Sequence, residues 1–130
     1  MKQPQFLRLD EVIEIHNDQI ARYGGSQGIR DMSLLQSAVG MPMSSFGGQF
    51  LHADLFEMAA AYLYHVVKNH PFVDGNKRVG TVAALIFMEL NGIEVDADES
   101  EFERLVLDVA ESKIAKSTVA EFLRNNSSHR

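Results

Sequence analysis

Two apolar stretches with helical spacing, joined by nine mostly polar residues, constrain this chain more than any other feature. Leu55, Phe56, Ala59, Ala60, Leu63, Val66 and Val67 recur at intervals near three and four, as do Val79, Val82, Ala83, Ile86, Phe87 and Leu90. Apolar faces this wide belong to helices that are buried on most sides. The small residues Gly80, Ala83 and Ala84 let a neighbour approach closely. The pair predicts a helical hairpin at the centre of the domain, with His70 to Arg78 at its turn.

Weaker signals flank that pair. Leu9, Val12, Ile13, His16, Ile20 and Tyr23 share a helical face that Gly24-Gly25 ends. Gly28-Ile29-Arg30-Asp31 reads as a turn, and Leu34, Leu35, Ala38 and Val39 as a short helix stopped by Gly40 and Pro42. Pro42 to Phe50 has no helical period; it is a loop or a short hairpin turning at Gly47-Gly48, placed to serve as a substrate-facing flap. Ile93-Glu94-Val95 reads as a brief extended segment. Asp98 or Ser100 caps a helix bearing Phe102, Leu105, Val106 and Val109, with Ser100 and Glu103 in capping-box spacing. A last helix, capped by Ser117 or Thr118, runs to Leu123, and residues 125–130 read as a frayed polar tail. The expectation is an all-α bundle without a sheet, in one domain over residues 1–130.

A chain of 130 residues has room for one core. Without cysteine it has neither a disulfide framework nor a thiolate nucleophile. Acidic residues number 18 against 12 lysines and arginines, a formal charge of -6, and no basic stripe offers a footprint for direct nucleic-acid binding. The longest apolar run, Met58 to Leu63, is too short to cross a bilayer, and Met1 to Gln5 lacks a leader's apolar core. A cytoplasmic protein away from the membrane is expected.

The turn His70-Pro71-Phe72-Val73-Asp74-Gly75-Asn76-Lys77-Arg78 holds the residue types that phosphoryl or nucleotidyl transfer needs. His70 suits a general base, because an unperturbed imidazole titrates near neutrality. Asp74 suits Mg²⁺, a hard ion that favours oxygen ligands. Gly75 allows a tight bend, and the first N–H groups of a helix starting near Asn76 attract anions. Lys77 and Arg78 at that end run against the helix dipole by roughly 0.3–1 kcal/mol each, which an anionic partner offsets. Phe72 is expected to anchor the loop in the core, and Pro71 to stiffen it. The plainer alternative is a capped polar turn, with Asp74 as N-cap and Lys77-Arg78 solvated. A metal cluster of His65, His70 and Asp74 is a weaker one, since no HxxxH spacing exists. His16, His52 and His65 read as structural histidines. Asp10, Glu11 and Glu14 read as first-turn acids and solvent face, and Tyr62 and Tyr64 as packing, one inward and one at the rim.

The nine residues also resemble the signature of the Fic/Doc family, HxFx(D/E)GN(G/K)R, and most closely its Doc ("death on curing") branch of toxins. Similarity continues through Gly28-Ile29-Arg30-Asp31, Leu34-Leu35-Gln36-Ser37-Ala38 and the helix before His70. The resemblance implies a compact helical bundle whose signature loop joins two central helices. It implies His70 as base toward a target hydroxyl and Asp74 as ligand of Mg²⁺ on the phosphates of ATP. Gly75 and Asn76 would line the anion pocket, Lys77 and Arg78 would hold phosphate oxygens, and Pro42 to Phe50 would align the target's main chain.

Two departures bear on the reaction. Fic proteins that transfer AMP read GNGRxxR, whereas Lys77 replaces their glycine here and Thr81 their final arginine. Both features occur in Doc-type toxins, which look like protein kinases that transfer the terminal phosphoryl group. The resemblance therefore implies a kinase-like toxin of a toxin–antitoxin pair, acting on bacterial translation elongation factor Tu. AMP transfer is the alternative, and a non-enzymatic helical binding protein a second. Ser117-Thr118-Val119-Ala120-Glu121-Phe122 matches only the start of the self-inhibitory (S/T)xxxE(G/N) motif, and the arginine it would pair with is Thr81. Restraint is then expected from a Phd-like antitoxin helix laid beside the site.

Overall fold

The computed structural model describes residues 3–129, so Met1 and Lys2 of the N-terminal segment and Arg130 of the tail lie outside it. Six helices are present among the described residues: α1 (Leu9–Tyr23), α2 (Met32–Gly40), α3 (Leu55–Asn69), α4 (Asn76–Leu90), α5 (Glu99–Ala110) and α6 (Lys116–Asn125). A single-turn 3-10 helix, Met41–Met43, follows α2, with Pro42 supplying its fixed φ. Helix α3 is the axis of the molecule, touching α2, α4, α5 and α6. The expected hairpin is thus α3 against α4, and Gly80 lets the two backbones approach closely. A Cβ there would stand 3.0 Å from Val67 and 3.1 Å from the Leu63 carbonyl oxygen.

One core cluster joins all six helices, with Tyr62, Phe72, Phe87, Met58 and Leu63 fully buried in it. Tyr62 is the inward tyrosine and Tyr64 the half-buried one. The Tyr62 hydroxyl accepts from the Leu7 N–H at 2.8 Å, fastening the chain entering α1 to the centre of α3. Glu11 accepts from the Arg8 N–H at 2.9 Å, so this first-turn acid satisfies a backbone donor at the start of α1.

The segment after α2 is a hairpin: β1 (Ser45–Phe46) pairs antiparallel with β2 (Gln49–Phe50). Gly47 and Gly48 both have positive φ, as a tight hairpin turn requires. Three expectations change. The tail is no frayed end, because β4 (Ser127–His129) pairs antiparallel with β3 (Ile93–Val95) and satisfies backbone groups that β3 would otherwise leave open. Helix α5 is capped by Asp98, which accepts from Glu101 N–H at 3.0 Å; Ser100 lies inside the helix and donates to Asp98, so it forms no box with Glu103. Helix α6 starts one residue before Ser117, after Ala115, and neither Ser117 nor Thr118 caps it. No helix among the described residues is long and apolar enough to cross a membrane.

Candidate active site

The loop between α3 and α4 is held on three sides. His70 ends α3 in the left-handed region, φ 51° and ψ 51°, a conformation that costs a non-glycine residue roughly 1–2 kcal/mol and needs outside support. Arg30 provides it, donating from Nε to the His70 carbonyl at 2.6 Å and from Nη2 to the Asn69 carbonyl at 2.9 Å. The last carbonyl of α3 and that of its C-cap thereby gain a charged partner. Gly28 to Asp31, read as a turn, zips along the loop: Arg30 and Asp31 N–H donate to the Pro71 carbonyl, and Val73 N–H to that of Gly28.

Phe72 is fully buried, as expected of the anchor. The His16 ring stacks on it at 4.0 Å and 4°, and His16 Nε2 donates to the Asp74 carbonyl at 2.9 Å. His16 is thus structural, but what it supports is the loop. Asn76, 6% exposed, accepts from the Phe72 N–H and donates to the Phe72 carbonyl, both at 3.0 Å, and its Nδ2 also lies 2.7 Å from His70 Nδ1. Its side chain is turned into the loop, not toward an anion in the cavity.

Asp74 is exposed, and both its oxygens are aimed: Oδ2 accepts from Ser26 N–H at 3.1 Å and Oδ1 from Gly75 N–H at 2.9 Å. These N–H groups, Ser26 first, hold its carboxyl below the usual carboxylate range, so it is anionic at neutral pH. Each oxygen keeps a lone pair. Gly75, at φ +83°, turns the chain into α4, and no side chain caps that helix. Its first-turn N–H groups therefore project from the end beside the carboxylate. The fit to Mg²⁺ and nucleotide phosphates is good, because Mg²⁺ sites of this kind combine one or two carboxylates with substrate phosphates and water. Among the described residues no group of three His, Cys, Asp or Glu side chains surrounds a point. His65 instead faces Lys116, 3.1 Å from Nε2 to Nζ.

Val67, Lys68, His70, Asp74, Gly75, Asn76, Lys77 and Ala110 enclose a cavity of about 340 Å³. The structure thus gathers five of the six residues expected at the site and adds Lys68, a cation on the last turn of α3. Arg78 is set apart: its guanidinium donates to the Gly24 carbonyl at 3.1 Å and lies 5.8 Å from the Tyr23 ring centre. Thr81, where AMP-transferring relatives have arginine, donates to the Lys77 carbonyl within its own helix at 2.8 Å. A larger groove of about 600 Å³ runs between α4 and α5 past Lys77, Arg78, Thr81, Leu85, Phe102 and Val106.

An anionic carboxylate, an imidazole and an open helix N-terminus lie around one cavity on a six-helix bundle of Fic/Doc type. The chain belongs to the Fic/DOC family, whose family model matches residues 6–88 and spans the whole loop. It is similar to "Protein kinase doc" of Escherichia phage P1, 35% identical over 115 residues that make up 88% of this chain and 90% of that protein. It is also similar to "Toxin Doc" of Mycolicibacterium smegmatis, 40% identical over 76 residues, 58% of each chain.

Sequence reasoning missed Gly25, Ser26 and Arg30 as supports of this site. Gly25 has φ +118°, and a Cβ on it would stand 2.7 Å from Asp74 Oδ2. The Gly24-Gly25 pair was legible as a helix end, but not as the surface against which the carboxylate rests.

Proposed function

We propose that this protein is the toxin of a toxin–antitoxin pair, transferring the terminal phosphoryl group of ATP to a protein hydroxyl, with translation elongation factor Tu as target. The observation that carries this reading is the convergence of His70, Asp74, Lys77 and the uncapped end of α4 on one cavity. Likeness to a protein named as a kinase over nine-tenths of its length supports it. Bound Mg²⁺, held by Asp74, would offset charge on the phosphates. Gly75 turns the chain so that the first-turn N–H groups of α4, from Asn76 on, are offered to phosphate oxygens, while Lys77, Lys68 and a reoriented Arg78 offer cations. His70 faces the same cavity and is the group that takes the hydroxyl's proton once its Nε2 is free to accept. Phosphoryl transfer depends mainly on positioning and charge stabilisation, which suits a site whose loop is braced by Arg30, His16 and Asn76.

The β1–β2 hairpin offers backbone and the exposed Phe46 to a target segment. The α4–α5 groove is apolar along Val82, Leu85, Val95, Phe102 and Val106, with Glu99, Glu103, Lys77 and Arg78 at its rim. It suits the amphipathic helix of a Phd-like antitoxin, and covering Lys77 and Arg78 would silence the site. Action on Tu implies a cytoplasmic location. The test is a label comparison with purified protein, factor Tu and Mg²⁺. Label from γ-labelled ATP is expected on Tu with wild type and not with His70→Ala. Label from α-labelled ATP would mean AMP transfer, and no label from either would refute an enzyme of this kind.

A further inference from the structure

The side chain of Asn76 fixes more than the shape of the loop. Its amide is oriented by the backbone of Phe72: Oδ1 takes that residue's N–H and Nδ2 gives a proton to its carbonyl. Turning the amide over would set NH₂ against N–H and oxygen against oxygen inside a residue that is 94% buried, a loss on both sides. Nδ2 has a second proton, and 2.7 Å away lies His70 Nδ1. That nitrogen must accept, so it carries the lone pair, and the neutral ring bears its proton on Nε2. A ring protonated on Nδ1 would set N–H against N–H at this distance.

We infer that Asn76 is a positioning residue that holds His70 in the Nε2–H tautomer, so that the resting protein presents a hydrogen-bond donor to the cavity and keeps the base locked. This rests on the functional reading above for its consequence, though not for its geometry. A hydroxyl cannot pass its proton to an Nε2 that already carries one. The ring must first lose the Nε2 proton to solvent and gain one on Nδ1, which breaks the Asn76 contact. Until then His70 can only donate, orienting an oxygen of the hydroxyl or the phosphate, as neutral histidines do in other enzymes. The side chain of Asn76 is thereby assigned a task on the base, and only its backbone N–H remains for the nucleotide.

The test is nitrogen-15 NMR of histidine-labelled full-length protein, at a pH where the rings are neutral, with His70→Gln identifying the His70 signals. The expected result is a pyridine-like Nδ1 and a pyrrole-like Nε2 in wild type. In Asn76→Asp, an acceptor faces Nδ1 and the assignment should reverse. A pyrrole-like Nδ1 in wild type overturns the inference, and this reading needs no variant to fold. An unreversed ring in folded Asn76→Asp overturns it as well. Phosphoryl transfer measured on the same samples separates the two claims. The expected tautomer without transfer leaves this inference standing and removes the kinase reading, and transfer with the opposite tautomer does the reverse.

Discussion

Replacing Gly25 by Ala, with Gly24→Ala as its control, tests whether the end of α1 aims the Asp74 carboxylate. Both glycines have positive φ, +82° at Gly24 and +118° at Gly25, so either alanine strains the backbone by about 1–3 kcal/mol. Only Gly25 is also crowded. Its Cβ would stand 2.7 Å from Asp74 Oδ2, whereas nothing lies within 4 Å of a Cβ on Gly24. Ile20 Cδ1, at 3.1 Å, is the end of a flexible side chain and can give way. Restoring ordinary contact moves the carboxylate or its loop by about 0.7 Å, from 2.7 to about 3.4 Å, and displacements near 1 Å can cost about 100-fold in rate. Urea unfolding should show both variants destabilised by about 1–3 kcal/mol. Transfer from γ-labelled ATP to Tu should fall roughly tenfold to hundredfold in Gly25→Ala alone, equivalent to about 1.4–2.7 kcal/mol of barrier. Equal rates in the two folded variants would refute the aiming role.

Phe72→Ala should lose about 3–5 kcal/mol in urea titration, because the ring is fully buried under His16; a loss below about 1 kcal/mol would deny that it anchors the loop. Burial pushes the Tyr62 phenol from 10.0 up to about 12. Its contribution is therefore complete below pH 10 and lost as pH rises from 10 toward about 12. Wild type minus Tyr62→Phe stability, followed by denaturation over that range, should shrink, and a constant difference would contradict the burial argument. Burial, with Lys116 second, pushes His65 from 6.5 down to about 4. This group stabilises the fold above pH 6.5 and ceases to do so as pH falls toward 4. His65→Gln should show a shallower acid decline across that window, and an identical slope would remove His65 as its source.

The helices were legible because their apolar periods are long and their ends are marked, as with Gly24-Gly25 after α1, and Gly40 as the last residue of α2 with Pro42 just beyond. The buried role of Phe72 was legible because one aromatic residue stood among polar ones. Several features depended on contacts between distant residues. Ser127 to His129 looks frayed alone and becomes a strand only when β3 is beside it. Ser26 meets Asp74 across 48 positions, and Arg30 meets His70 across 40, distances no local pattern reports. Asn76 lines the cavity, as the resemblance implies, but nothing local in the sequence reports that its side-chain amide turns inward onto Phe72 and His70. Arg78 was grouped with Lys77 because they are neighbours in sequence. On a helix, neighbours diverge by about 100°, and the guanidinium goes to Gly24 while Lys77 lines the cavity.

If the α3–α4 loop moves one phosphoryl group from ATP onto a protein, the mass of its target reports it. The deciding measurement is intact-mass analysis of factor Tu after incubation with the purified chain, ATP and Mg²⁺. A gain of one phosphoryl mass is expected with wild type and none with His70→Ala or Asp74→Asn. A gain equal to an adenylyl group, or an unchanged Tu mass while the protein is folded, would contradict it.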